Sequence, residues 1–221
     1  GAALVLVTGG RDTFTSITSE NNTASAFLYD PATSDIVWQD DRALYTARSE
    51  HVHVLMHNGN VLIFGGWNDG TLSPPNANFE IFDPVSRQST PGSDELAVGS
   101  LGAGWADLGA DGVLLCGGSR PGSNDNSEVI ADCSRVDLQG NVQPAPSLPQ
   151  PVSHLAMAPL PDGGVIAMGG VIDEHADNSE IPATAKAWRW DGQNNWTVVF
   201  DMNEARAHHR AIPLANGQVM V

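Results

Sequence analysis

Basic residues are scarce in this 221-residue chain, which has 10 lysines and arginines against 26 aspartates and glutamates. The formal net charge of −16 would repel both a phosphate backbone and an anionic membrane surface. We therefore expect no nucleic-acid partner. No apolar run in the sequence approaches the roughly 20 residues that a membrane-spanning helix needs, so we expect no membrane insertion.

Cysteine and tyrosine are also rare, with two residues of each type. Two N-x-T sequons, at Asn21 and Asn195, are candidate glycosylation sites. Together with one pair of cysteines, the sequons favour a protein that is secreted or displayed at the cell surface.

Sustained apolar residues at helical spacing are absent, so we expect little helix. Instead, short apolar runs end in Gly-Gly at residues 9–10, 65–66, 117–118 and 169–170. Asn-Gly or Asp-Gly turns precede the last three runs, and another one, at 216–217, lies in a partial repeat over 203–221. These turns between apolar runs predict β-hairpins, because a type I′ hairpin turn needs a positive φ at both central residues and Asn-Gly and Asp-Gly adopt it most readily.

Each Gly-Gly pair is followed by a polar loop and then by a third strand that ends in an aspartate turn, as in Phe82-Asp83-Pro84. A fourth short strand follows, clearest at residues 35–38 and 195–199. Each repeat is therefore predicted to be a four-stranded antiparallel meander. Such a sheet cannot bury both faces alone, so the repeats must stack radially. We expect an all-β fold, with residues 1–221 forming a single propeller region.

This pattern resembles the kelch repeat, in which a hairpin ends in Gly-Gly and is followed by an aromatic-Asp-Pro turn and a tryptophan. The layout is closest to the secreted bacterial and fungal branch that includes the propeller domains of galactose oxidase and glyoxal oxidase. The resemblance implies a β-propeller of four-stranded antiparallel blades. About four repeats are present where kelch propellers have six or seven. We favour part of a larger propeller completed by further blades; an unusual small ring and pairing with another chain are the alternatives.

The loops after each Gly-Gly are the first candidate ligand-binding surface, because loops on a fixed scaffold vary freely. Their candidate residues are Arg11, Trp67, Asn68, Asp69, Arg120, Asp173, Glu174 and His175. Trp67 could stack on a sugar or pack on a neighbouring blade. The acidic stretch 173–180 invites calcium, but it lacks the ligand spacing of an EF-hand loop, so a solvated loop is favoured.

The start of the innermost predicted strand carries the second set of candidates, which would line a central channel: His51, Trp105, His154 and His209. Three imidazoles from separate repeats could bind a metal or an anion. The alternative is structural, because kelch repeats of this branch carry an Arg-x-x-His element for contacts between blades, as at 48–51 and 206–209. We favour the structural interpretation and predict no metal site. The adjacent His208 and His209 would face opposite sides of a strand and could not bind one ion together.

Cys116 and Cys133 fall on the predicted second and third strands of one repeat. Those strands are adjacent and antiparallel in a meander, so a cross-strand disulfide is possible. Two buried thiols are the alternative, and the bridge is favoured.

Catalytic residues are not evident. The resemblance to galactose oxidase implies copper held by tyrosines and histidines, yet only Tyr29 and Tyr45 are present and no Tyr-His dipeptide occurs. We predict no cofactor; calcium and copper have no support in these residues. The function expected is a non-catalytic extracellular module that binds a glycan or a protein surface. The alternatives are the propeller part of a secreted copper oxidoreductase whose catalytic residues lie outside this chain, and a structural surface protein.

Overall fold

Short strands joined by glycine and aspartate turns make up the regular structure of the computed structural model, which describes residues 4–11, 22–67, 78–121, 127–174 and 182–221. The one helical segment among them is a 3-10 turn at Gly109–Asp111. The strands are β1 (Val5–Thr8), β2 (Ala26–Asp30), β3 (Asp35–Asp40), β4 (Val52–Leu55), β5 (Val61–Phe64), β6 (Phe79–Asp83), β7 (Gln88–Pro91), β8 (Gly104–Asp107), β9 (Val113–Cys116), β10 (Ser119–Pro121), β11 (Ser127–Val129), β12 (Cys133–Val136), β13 (Val142–Ala145), β14 (Ala156–Pro159), β15 (Val165–Met168), β16 (Lys186–Trp190), β17 (Trp196–Asp201), β18 (Ile212–Pro213) and β19 (Val219–Met220).

The strands form four main antiparallel sheets. Sheet I is β1-β2-β3, sheet II is β4-β5-β6-β7, sheet III is β8-β9-β12-β13 and sheet IV is β14-β15-β16-β17. Two hairpins are separate from them: β10–β11, inserted within the sequence of sheet III, and β18–β19, which follows sheet IV. The expected all-β fold is therefore confirmed.

The second strand of each four-stranded sheet is buried on both faces, which explains why it is apolar throughout. Side chains alternate along a strand, and in β9 the two sets enter different cores. Leu114 and Cys116 pack in the core between sheets III and IV, whereas Val113 and Leu115 pack in the core between sheets II and III. The same alternation in β5 and β15 produces four cores arranged in sequence order. The sheets thus stack face to face.

The first strands of successive sheets lie side by side, since β4 contacts β8, β8 contacts β14 and β14 contacts β18. The Gly-Gly pairs tie the sheets together near these strands. The second glycine of each pair donates its backbone N–H to a carbonyl in the segment that leads into the next sheet. The pairs are Gly10 to Arg48, Gly66 to Ser100, Gly118 to Val152 and Gly170 to Arg206, at 2.8–2.9 Å.

Close approach of the backbone makes glycine necessary at Gly65. A Cβ at this position would lie 2.2 Å from the carbonyl oxygen of Ser100, and its φ of +68° disfavours other residues. The repeated glycines therefore serve the packing of one sheet on the next.

A buried ion pair holds sheet II to the segment that leads into it. Arg48 Nη2 lies 2.9 Å from Glu80 Oε1, and both side chains are 1% exposed. Arg48 also donates to the carbonyl oxygen of Gly65 at 2.8 Å, and Glu80 accepts the backbone N–H of Tyr45 at 2.6 Å. The arginine of the Arg-x-x-His element is thus part of the internal packing.

Aspartates organise the turns that follow the third strands, as expected. Asp83 Oδ1 accepts the backbone N–H of Val85 at 2.8 Å. Asp191 Oδ1 accepts three backbone N–H groups, from residues 193 to 195, and hydrogen bonds led by the Asn195 side chain lower the pKa of Asp191 to about 2. The carboxylates of Asp83 and Asp191 are therefore ionised at neutral pH, where they accept the hydrogen bonds that hold these turns.

Candidate functional site

One residue in each repeat adopts a left-handed backbone conformation just before the first strand of the sheet. These four corner residues are Glu50, Gly102, His154 and His208, with φ of 55°, 63°, 51° and 57°. Three of the four are not glycine, and such a conformation costs of order 1–3 kcal/mol per residue. Backbone strain of this kind clusters at functional sites, so the corner residues mark a candidate functional region.

Three corner residues are linked directly to one another across sheets. The backbone N–H of His154 donates to the carbonyl of Gly102 at 2.6 Å, and that of His208 donates to the carbonyl of His154 at 3.0 Å. The rings of His154 and His208 are stacked, with centroids 3.9 Å apart and planes inclined by 30°. The two histidines therefore form one continuous surface between sheet IV and the β18–β19 hairpin.

A carboxylate from a post-glycine loop approaches this pair. Glu174 follows Gly169-Gly170, and its Oε1 accepts the hydroxyl of Ser153 at 2.6 Å. The same oxygen lies 3.7 Å from His154 Nε2, with the His154 and Glu174 side chains 30% and 19% exposed. Residue 153 also pairs with Val171 in an isolated β-bridge, which brings the loop to the corner residue.

A second charged group from a post-glycine loop reaches Glu50. Arg11 follows Gly9-Gly10, and its Nη2 lies 2.9 Å from Glu50 Oε1. Its Nε donates to the hydroxyl of Ser49 at 3.1 Å. Arg11 thus spans from sheet I to the segment that leads into sheet II.

The imidazole of His154 is held in its neutral form at neutral pH. Burial is the main cause that lowers the pKa of His154, and the neighbouring His208 lowers it further. Glu174 and Glu50 act in the opposite direction, so both carboxylates lie within electrostatic reach of this ring. We call the group Arg11, Glu50, Ser153, His154, Glu174 and His208 the corner cluster.

His51 and His209, two of the candidates for the channel, pack between sheets. His51 Nε2 lies 2.9 Å from Thr8 Oγ1, and a Cβ on Gly9 would lie 2.7 Å from the His51 ring. His209 lies in the same way against Gly169. Burial, with lesser effects of His53 and Arg48, lowers the pKa of His51 to about 4. Both rings pack against the first glycine of a Gly-Gly pair, and the role of the Arg-x-x-His element in contacts between blades stays a prediction.

The expectation that His208 and His209 are neighbours on a strand is wrong, because β18 begins only at Ile212 and His208 lies in a left-handed turn. The turn directs the chain so that His208 stacks on His154. His154 likewise precedes β14, which begins at Ala156.

The other candidates lie in several places. Trp67 is half-buried and pairs with Ser49 through an isolated β-bridge. Arg120 lies on the β10–β11 hairpin in an exposed ion pair with Glu128. Trp105 lies in β8 and is 37% exposed. Asp173 is exposed and adjacent to Glu174. Asn21, Asn68, Asp69 and His175 lie outside the described residues.

The disulfide between Cys116 and Cys133 is present. The two residues are directly opposite in the register of β9 and β12, with Cα atoms 4.1 Å apart. Asn195 of the second sequon is exposed, and its side chain donates to Asp191 at 2.9 Å.

Sequence reasoning missed Glu50, Ser153 and His208 as members of one cluster. A signal was available, because Glu50, Gly102 and His154 each lie 15 residues before the first glycine of a Gly-Gly pair, and His208 lies eight residues before its Asn-Gly turn, as Glu50 and His154 do before theirs. A column that holds glycine in one repeat and polar residues in the others indicates a left-handed position.

The described part of the chain holds no group of three or more histidine, cysteine, aspartate or glutamate side chains placed to bind one metal ion. A membrane-spanning helix is likewise not found among the described residues. The corner cluster as arranged offers hydrogen-bond donors and acceptors from five separate chain segments.

Comparison with known proteins shows the fold. A matching solved structure, that of YjhT, has a TM-score of 0.72 and 16% sequence identity, over 98% of this chain and 72% of that one. No family model matches the chain, and no curated protein does. At this identity the likeness concerns the fold alone, which is all-β and propeller-like.

Proposed function

We propose that this chain is a non-catalytic, secreted binding module that recognises a glycan through the corner cluster and the post-glycine loops beside it. The observation that carries the proposal is the pairing of Arg11 with Glu50 and of Glu174 with the stacked His154–His208 pair, with Glu50 within electrostatic reach of His154. Convergent polar groups on a rigid scaffold are the usual form of a ligand site.

The chemistry of the cluster suits hydroxyl groups, which both donate and accept hydrogen bonds. Glu50 and Glu174 supply acceptors, Arg11 supplies donors, and a neutral imidazole supplies one of each. The exposed face of His208 provides a flat ring on which a sugar ring can pack. A protein with a net charge of −16 is poorly suited to a highly anionic ligand, which favours a neutral glycan.

The scaffold in this proposal is a kelch-type propeller of the secreted bacterial and fungal branch, with about four repeats present. Three four-stranded sheets, each with a Gly-Gly pair after its second strand, support it. In this scheme the post-glycine loops lie at one end of the sheets. Secretion is supported by the disulfide and by the sequons at Asn21 and Asn195.

The test is an array of immobilised glycans probed with the labelled 221-residue chain and with two variants, His208→Ala and Glu174→Gln. We expect binding to a limited set of neutral glycans, and at least a tenfold weaker signal for each variant, because each loses a hydrogen-bonding or stacking group of about 1–2 kcal/mol. His57→Ala is the matched control, since His57 is an exposed histidine in the β4–β5 turn.

Two results would overturn the proposal. One is binding that is unchanged in both variants, which would place the glycan elsewhere. The other is a chain that binds no glycan on the array, which would leave a protein surface or a structural role as the function.

A further inference from the structure

A second concave region lies between sheets III and IV, at the ends of their strands that are remote from the corner residues. It is a cavity of about 300 Å³ bounded by the β8–β9 turn, the β14–β15 turn and the start of the β16–β17 turn. His154 precedes β14, whereas Pro159 ends it and residues 160 to 164 follow it. The length of β14 therefore separates this cleft from the corner cluster.

Charged groups of both signs line the cleft. Asp107, at the end of β8, and Asp111, in the 3-10 turn, supply carboxylates, and Arg135 of β12 supplies a guanidinium. Asp107 is oriented by the backbone N–H of Gly109, which donates to its Oδ1 at 2.9 Å. Beside the cleft, Asp162 is ion-paired with Arg189, so that pair adds no net charge.

One residue that lines the cleft, Trp190, carries a buried hydrogen-bond donor. Trp190 is 4% exposed and lines the cavity. Its indole Nε1–H has no hydrogen-bond acceptor among the described residues. Trp196, its neighbour across β16 and β17, donates its own Nε1–H to the carbonyl of Pro146 at 2.9 Å. A buried donor without an acceptor costs about 1–3 kcal/mol, which an oxygen of a bound molecule could offset after a small local rearrangement.

Apolar surface completes the lining. Pro159, Leu160 and Pro161 form part of one wall, and glycines on both turns bring backbone groups to the surface. A volume of about 300 Å³ lies at the lower end of the range for small-molecule pockets, about 300–1,000 Å³. A ligand here would be small.

We propose that this turn-side cleft binds a neutral polyhydroxylated molecule of monosaccharide size. Asp107 and Asp111 can accept hydrogen bonds from a ligand, and Arg135, which also donates to Gln143 Oε1 at 3.4 Å, and the Trp190 indole can donate them. Hydroxyl groups suit both. An anionic ligand is disfavoured by Asp107 and Asp111 against the single charge of Arg135. The proposal is independent of the corner cluster, which lies at the other end of the sheets.

The test is titration of the ¹⁵N-labelled chain with glucose, galactose and mannose, followed by the indole N–H resonances of its six tryptophans. Trp190→Phe identifies the Trp190 resonance. With at least one sugar we expect a saturable shift of that resonance, at concentrations up to about 50 mM, which would detect a dissociation constant near 1 mM. Asp111→Asn and Arg135→Gln should each raise that constant about tenfold, because each weakens a charge-assisted hydrogen bond.

One further variant is the matched control for this site. Asp41→Asn makes the same charge change at an exposed position in the turn after β3 and should leave binding unchanged. Absence of any shift of the Trp190 resonance with all three sugars would overturn the proposal. So would a shift that persists with unchanged affinity in both Asp111→Asn and Arg135→Gln.

Discussion

His154 stacks on His208, and the two residues are also joined by a backbone hydrogen bond of 3.0 Å from the N–H of His208 to the carbonyl of His154. They belong to different repeats and are brought together by left-handed turns at equivalent positions. The stack covers one face of each ring and places two titratable groups side by side. The pKa of His154 is therefore lowered by its neighbour His208 as well as by burial.

Removing His208 should raise the pKa of His154. His208→Ala exposes the His154 ring to water and removes the electrostatic effect of His208, and burial and that effect both lower the pKa of His154 in the intact protein. Glu174 and Glu50, which raise it, remain. Titration of the His154 ring protons by NMR measures the change, with His57→Ala as control. An unchanged or lower pKa in His208→Ala would contradict the electrostatic role given to the stack.

Acid should destabilise the protein partly through His51. The pKa of His51 is about 4 in the folded chain against 6.5 ordinarily, so the unfolded chain binds this proton more readily. The stability that neutral His51 contributes is therefore complete above pH 6.5 and is lost as the pH falls from 6.5 to about 4. Over this pH range we expect the free energy of unfolding of His51→Gln to fall by about 2 kcal/mol less than that of the wild type. This value is smaller than the full pKa shift would give, because His51 is partly exposed.

Urea unfolding at several pH values between 7 and 4 measures this difference. His57→Gln is the control, because His57 is exposed. This variant should lose as much stability as the wild type over the same pH range. Equal acid losses in wild type and His51→Gln would show that His51 does not carry the effect.

Breaking the buried pair of Arg48 and Glu80 should be severely destabilising. Glu80→Gln leaves the Arg48 charge buried without its partner, and both side chains are 1% exposed. The expected loss is about 3–5 kcal/mol in the free energy of unfolding. Glu128→Gln is the matched control, since it breaks an ion pair whose side chains are 49% and 55% exposed, and it should cost less than about 1 kcal/mol. Similar losses in the two variants would count against the pair as a structural element.

A methyl group at Gly65 should disrupt the contact between sheets II and III. Gly65→Ala would place a Cβ 2.2 Å from the Ser100 carbonyl oxygen, whereas a Cβ at Gly59 meets nothing within 4 Å. Both glycines have positive φ, so Gly59→Ala carries only the conformational cost of about 1–2 kcal/mol. We expect Gly65→Ala to cost at least about 3 kcal/mol. Thermal or urea unfolding of the two variants gives the comparison, and comparable losses would refute the steric effect.

Local patterns explain the success of the sequence analysis for the strands, turns and disulfide. The apolar run at 113–116 predicts a buried strand because its alternate side chains face two neighbouring sheets. Cys116 and Cys133 lie on adjacent strands of a meander, so their pairing follows from strand order. The sequence did not predict that His51 and His154 have different environments, since both were assigned to the start of a first strand.

The sequence by itself determined the strand pattern, the Gly-Gly pairs and the aspartate turns, because these depend on residues a few positions apart. Only the tertiary structure decided which polar side chains meet. Arg11 meets Glu50, and Glu174 meets His154, through contacts between segments that are distant in sequence, beside left-handed corners, and one repeat alone cannot specify these contacts. The same stacking buries Arg48 against Glu80 and His51 against Gly9. Relative to the following Asn-Gly or Asp-Gly turn, His51 and His154 differ by only one position. That one position decides whether the histidine packs between sheets or lies in the corner cluster.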